Sequence, residues 1–139
     1  MISGITAKGK VYDGTADAEL DYSKAVFAGA VKGDSLTVSA EGTFADSNAA
    51  NGKTVTITKP VLGGGSAGDY ILADNGQQTS TTADISPKES TVTAGNKNKI
   101  AGKADPVLTY TAKGLVGKDT LSGITVRRKA GEKAGIYPI

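Results

Sequence analysis

Lys10-Val11-Tyr12-Asp13-Gly14-Thr15 reads as the end of a short extended segment running into a tight turn. Val11 and Tyr12 suit a pleated, half-buried surface. Asp-Gly favours a turn because glycine tolerates positive φ. Taken alone, the stretch is one hairpin corner. A degraded echo of it lies downstream at Lys99-Ile100-Ala101-Gly102-Lys103-Ala104-Asp105, and other landmarks recur with it. Leu20-Asp21-Tyr22 returns as Leu108-Thr109-Tyr110, 88 residues on, and Gly33-Asp34-Ser35-Leu36 as Lys118-Asp119-Thr120-Leu121, 85 residues on. Gly131-Glu132-Lys133 stands where Asn51-Gly52-Lys53 stood. A nearly constant offset describes two copies of one β module, the second stopping early.

Between these landmarks the apolar period is that of strands. Ser3–Ala7, Glu19–Tyr22, Ser35–Ala40, Thr54–Thr58 and Thr81–Ile85 alternate apolar with polar or hydroxyl residues, as half-buried strands do. Gly42–Asp46 reads as a further short strand, Asn51-Gly52 as a turn, and Tyr70–Leu72 as a strand pairing with Thr81–Ile85. Tyr22–Ala30 is the only candidate for a helical turn, limited by Gly29 and Gly33. Ile85-Ser86-Pro87 passes almost directly into Thr91-Val92-Thr93, a junction stiffened by proline. The expected division is 1–86 and 87–139. The second module lacks counterparts of Tyr70–Leu72 and Thr81–Ile85, so its open sheet edge is expected to need cover, from the first module or another molecule.

The 139 residues include 19 glycines, two phenylalanines and no tryptophan, so two modules of this size have modest cores. With no cysteine there is no disulfide and no thiolate. With no histidine the usual general base and commonest metal ligand are missing. No apolar run approaches the roughly 18–20 residues that span a bilayer, so no membrane partner is expected. Met1-Ile2-Ser3-Gly4 has neither the charged start nor the apolar stretch of a signal peptide, and a chain beginning inside a strand pattern is expected to be an excised fragment. Charge is uneven: residues 1–86 carry a net −4 and residues 87–139 a net +6.

The ordered landmarks resemble the YDG and MBG repeats of very long bacterial surface adhesins of filamentous-haemagglutinin type. The YDG-like set is Ile5–Thr15, Gly33-Asp34, Gly42–Asp46, Gly68-Asp69-Tyr70 and Thr82–Lys88. The MBG-like set is Asp105-Pro106-x-Leu108-Thr109-Tyr110, Gly114-Leu115-Val116, Asp119–Gly123 and Gly131-Glu132-x-x-Gly135-x-Tyr137-Pro138-Ile139. Ala101 departs from the pattern, standing where MBG repeats carry the tyrosine of a Tyr-Gly pair. Gly117-Lys118-Asp119 replaces an Asn/Asp-Gly-Asp order. The resemblance implies repetitive β modules building an extended stalk on a bacterial surface, secreted and non-enzymatic, with a role in cell adhesion or biofilm. It carries no catalytic residue.

Other motifs are weighed on their chemistry. Gly63-x-Gly65-x-x-Gly68 matches a dinucleotide fingerprint in letters, but the mechanism needs a following helix, and the segment reads as a hairpin loop. Asp13 with Asp17, or Asp69 with Asp74, offers hard oxygens to Ca²⁺ without the dense spacing of a calcium loop. Lysines and asparagines are plentiful enough for an isopeptide bond, which no pattern locates. The acids sit in turns and exposed strand positions, not in the facing pair that glycoside hydrolysis needs. No catalytic residue, metal site or cofactor is therefore expected.

The sharpest charged feature is basic: Lys97, Lys99, Arg127, Arg128 and Lys129, with Lys103 and Lys133 nearby. It suits contact with an anionic extracellular polysaccharide. Nucleic acid is disfavoured because only Tyr110 and Tyr137 are near enough for base stacking. The plainer reading is a solvated edge that deters strand pairing, or a basic module abutting the acidic one of a neighbouring repeat in the same or another chain. The expected fold is all-β: two consecutive small antiparallel sandwich-like modules, immunoglobulin-like, with β-grasp-like modules as the alternative. The expected function is a stalk or spacer, and its rival is a carbohydrate- or polyanion-binding module.

Overall fold

The computed structural model describes residues 1–139, and the chain is all-β in two compact units, Met1–Pro87 and Lys88–Ile139. Unit 1 holds nine strands: β1 (Ile2–Ser3), β2 (Thr6–Ala7), β3 (Lys10–Val11), β4 (Asp17–Ala18), β5 (Leu20–Asp21), β6 (Val26–Phe27), β7 (Thr37–Phe44), β8 (Ala50–Gly63) and β9 (Ser80–Ser86). Five make one sheet, ordered β3-β9-β8-β7-β4. Its ladders are antiparallel except β3–β9, which is parallel. That departs from the all-antiparallel expectation. The ladders β1–β6 and β2–β5 contribute Ile2, Leu20 and Phe27 to the core that the sheet's inner face supplies with Val38, Phe44, Val55, Ile57 and Ile85. The arrangement is sandwich-like.

The period-2 pattern explains which residues meet there. Val55 and Ile57 on β8 point inward together, as Val38 and Phe44 do on β7. Past Ile57 the inward positions of β8 change from odd to even, to Pro60 and Leu62. The cause is a register slip between Ser39 and Glu41 of β7, opposite Thr58–Val61. One extra residue on β8 reverses the facing of everything beyond it. Lys59 sits in this bulge at φ 52°, the one non-glycine residue at positive φ, a strain of order 1 kcal/mol that the ladders on either side hold in place.

Four local expectations are corrected. The Asp13-Gly14 turn is not a hairpin corner: β3 and β4 lie at opposite edges of the sheet, so the turn begins a crossing from one edge to the other. Asn51-Gly52 is no turn either but lies within β8, where Gly52 at φ 61° occupies a second slip and its N–H donates to Asp84 Oδ1 at 2.6 Å. Gly42–Phe44 is continuous with the strand before it, making one eight-residue β7. Tyr70–Leu72 joins no ladder; it follows a 3-10 turn at Ala67–Asp69, and β9 pairs with β8 and β3.

Gly4 divides the first expected strand into β1 and β2, which take different partners. A Cβ there would lie 2.1 Å from the Lys24 carbonyl oxygen, so the close approach requires glycine. The candidate helical turn at Tyr22–Ala30 is a tight turn, Ala25 N–H to Tyr22 O at 2.9 Å, leading into β6.

Unit 2 is sparer. Its one ladder pairs β10 (Thr91–Ala94) with β11 (Tyr110–Lys113), extended by Gly95 N–H to Thr109 O at 2.8 Å. A single backbone bond, Lys129 N–H to Pro138 O at 2.8 Å, ties the last segment back. All eight buried side chains of the protein belong to unit 1. Unit 2 therefore depends on polar ties.

Candidate functional site

Two polar clusters stand out, one in each unit. In unit 1 the Lys10 ammonium is held on three sides. It donates to Asp13 Oδ1 (2.9 Å) and Oδ2 (3.1 Å), to Thr15 O (3.0 Å) and to Thr15 Oγ1 (2.9 Å), and it lies 5.7 Å from the centroid of the Phe44 ring. Asp13 Oδ1 also accepts from the Thr15 N–H and hydroxyl, each at 2.9 Å. Donation from Lys10 first, and from Thr15 after it, lowers the Asp13 carboxyl to about 2. The Tyr12 N–H donates to Ser86 O at 2.8 Å. The side chains of the corner thus brace the turn that follows β3, while the Tyr12 N–H carries the pairing with β9 one residue further.

In unit 2 the five basic residues proposed for a polyanion do not form one surface. Arg128 is turned inward: Nε and Nη2 donate to Asp105 Oδ1 at 2.9 and 2.7 Å, and Nη2 to Glu132 Oε1 at 2.7 Å. Its Nη1 donates to the carbonyls of Lys129 (3.0 Å) and Gly131 (2.8 Å), and the guanidinium lies 5.5 Å from the Tyr137 ring centroid. Lys99 bridges the same two carboxylates at 2.8 Å each. Asp105 is lowered to about 2 by Arg128 first and Lys99 second, and Glu132 is lowered by Lys99 and then Arg128. Both cations are raised by the same partners.

Lys97, Arg127 and Lys129 remain exposed and outside any ion pair. Lys97, Lys99 and Arg128 border one cleft of about 680 Å³, which Glu132 and Tyr137 also line. Arg127 borders a different, apolar cleft. The contact set is split between two places, and two of its members are already neutralised.

The other sequence candidates resolve into structure. Gly64 packs against the Ser35 carbonyl, Ser66 N–H donates to Ser35 O at 3.1 Å, and a three-residue 3-10 turn follows. No helix N-terminus faces the glycines, so the fingerprint mechanism has no anchor there. Asp69 lies in that turn and Asp17 on β4. No three carboxylates converge anywhere.

Sequence reasoning passed over the partners of the basic residues. Asp105 and Glu132 are the counter-ions, and the Arg128/Glu132 spacing of four was the one available hint. It also passed over Tyr137 seated on Gly131, where a Cβ would lie 2.0 Å from the ring. Nothing in their spacing marks Gln77 and Gln78, whose amides close the N-terminal edge. Gln77 Oε1 accepts from Ile2 N–H at 2.7 Å. Gln78 Oε1 accepts from Ile5 N–H at 2.9 Å, and its Nε2 donates to Ile5 O at 2.7 Å.

Among known proteins, residues 1–82 match the model of the YDG domain, and residues 91–139 match that of the MBG domain (YGX type). No curated protein and no solved structure matches the chain.

Proposed function

This chain belongs to the YDG domain family and carries an MBG domain behind its YDG domain, and from that premise we propose that it is a force-carrying spacer in the stalk of a secreted bacterial surface adhesin, serving cell adhesion or biofilm. Both domains are non-catalytic repeat domains of adhesin-like proteins, so the segment is a structural repeat. Length in such arrays is set by repeat number, since each unit contacts mainly its neighbours.

The observation that carries the mechanical role is the parallel pairing of β3 with β9, Lys10 opposite Ile85 and Val11 opposite Ser86. Tension that pulls β3 by its N-terminal end and β9 by its C-terminal end slides the two strands along each other. Their hydrogen bonds then break together and not one at a time. The Tyr12 N–H to Ser86 O bond lengthens that ladder, and the bonds among Lys10, Asp13 and Thr15 brace the turn next to it.

Pulling the full chain from its two ends in single-molecule force spectroscopy tests this. A discrete rupture of unit 1 is expected, lowered by Asp13→Ala, which loosens the turn bracing the end of β3. Extension of unit 1 with no force peak, or a peak indifferent to Asp13→Ala, would refute the spacer mechanism.

A further inference from the structure

Unit 2 leaves an apolar cleft of about 490 Å³ open to solvent, lined by Val92, Tyr110, Ile124, Val126 and Ile139 with Arg127 at its rim. A two-stranded ladder with no buried side chain is marginal in isolation, and an open apolar groove marks a contact surface. Unit 1 exposes apolar side chains on two segments that meet. Ile71 is 94% exposed and Val31 67% exposed. Tyr70 joins their segments, because its hydroxyl accepts from the Val31 N–H at 2.9 Å and donates to the Asp34 carboxylate. Asp69 precedes Tyr70, and Lys32 is the one cation on the Val31–Asp34 turn. The result is an apolar tip with two carboxylates beside it, on the acidic unit, and an apolar groove with an arginine at its rim, on the basic unit.

We propose that the Val31/Ile71 tip of one copy docks into the Val92/Ile124 groove of a second copy, with Asp34 and Asp69 facing Arg127. Two different surfaces meet, so each copy offers both a tip and a groove to its neighbours. The contact goes beyond repeats joined in one polypeptide: it is between separate chains. The net −4 of residues 1–86 and +6 of residues 87–139 steer the encounter, more strongly at low salt.

Sedimentation velocity of the full chain from about 10 μM to about 1 mM, the range of small interfaces, tests the contact. The average mass is expected to rise with concentration, and more so at low salt. Ile71→Asp (tip) and Ile124→Asp (groove) each raise the dissociation constant about tenfold or more. Mixing the two variants restores one contact and yields a pair that grows no further, because each brings one intact face. If Ile124→Asp perturbs unit 2 by circular dichroism, Arg127→Glu replaces it, with Asp34→Lys/Asp69→Lys in the other copy expected to restore association. A chain that stays monomeric throughout, or variant mixtures that fail to associate, would overturn the proposal.

Discussion

The hydroxyl of Tyr22 lies 2.9 Å from both the nitrogen and the carbonyl oxygen of Ala40, accepting from the one and donating to the other. The register of β4 with β7, Asp17 to Thr43 and Ala18 to Gly42, would continue to set Leu20 opposite Ala40. Leu20 instead pairs with Ala7 on β2, and the phenol two residues on meets the peptide groups that the departing strand leaves unpaired. Leu20 meanwhile packs over Gly42, where a Cβ would lie 2.8 Å from its Cδ2. Tyr22→Phe keeps the ring and removes both bonds. Unit 1 is expected to lose about 1–3 kcal/mol, the cost of stranding buried peptide groups, read as a lower urea midpoint and faster hydrogen exchange at Ala40.

Gln78 does for Ile5 what a neighbouring strand would do, bonding both its N–H and its C=O. Gln78→Leu is expected to cost unit 1 roughly 1–3 kcal/mol. Hydrogen exchange should locate the loss at the N-terminal edge, with residues 88–139 unaffected. Equal loosening of both units would contradict the assignment.

Acid should weaken each unit through its depressed carboxyls, Asp13 foremost in unit 1 and Asp105 in unit 2. Asp13 is lowered from its ordinary 3.8 to about 2 by Lys10 and Thr15, and Asp105 likewise by Arg128 and Lys99. A depressed carboxyl stabilises the fold above the unfolded value, and the contribution is lost as pH falls through the folded one. Thermal midpoints are therefore expected to hold down to about pH 5 and to decline towards about pH 2. Asp13→Asn should flatten that decline in unit 1 alone. Unchanged acid sensitivity in the variant would show that other groups carry it.

Anionic polysaccharide should separate the basic residues by their surroundings. Lys97, Arg127 and Lys129 are exposed, so replacing them with serine is expected to weaken binding seen at low salt and to reduce its salt dependence. Arg128→Ser leaves Asp105 and Glu132 short of a cation, and it should instead loosen unit 2, visible as lost chemical-shift dispersion. Saturable binding at physiological salt, abolished by Arg128→Ser with unit 2 still folded, would favour the polyanion-binding module over the spacer.

The strands of unit 1 were legible because period 2 is local. Thr37–Ala40, Thr54–Ile57 and Thr81–Ile85 show their inward faces in single residues, and those residues form the core. Expectations failed where two conformations satisfy the same local chemistry. Gly52 serves a bulge as well as a turn, and the tertiary donor–acceptor pair with Asp84 decides between them. The basic cluster was legible as charge only, since Asp105 stands 23 residues from Arg128 and is brought to it by the fold.

The amino-acid sequence by itself determined that the chain is all-β, that it carries a YDG and then an MBG domain, and that charge differs between its halves, because composition, alternation and ordered motifs are local properties of the chain. Only the tertiary structure decided that β3 runs parallel to β9, that Tyr22 completes the edge at Ala40, and that Lys99 and Arg128 face inward. Those outcomes depend on which distant groups compete for one partner, and that competition exists only once the chain has closed on itself.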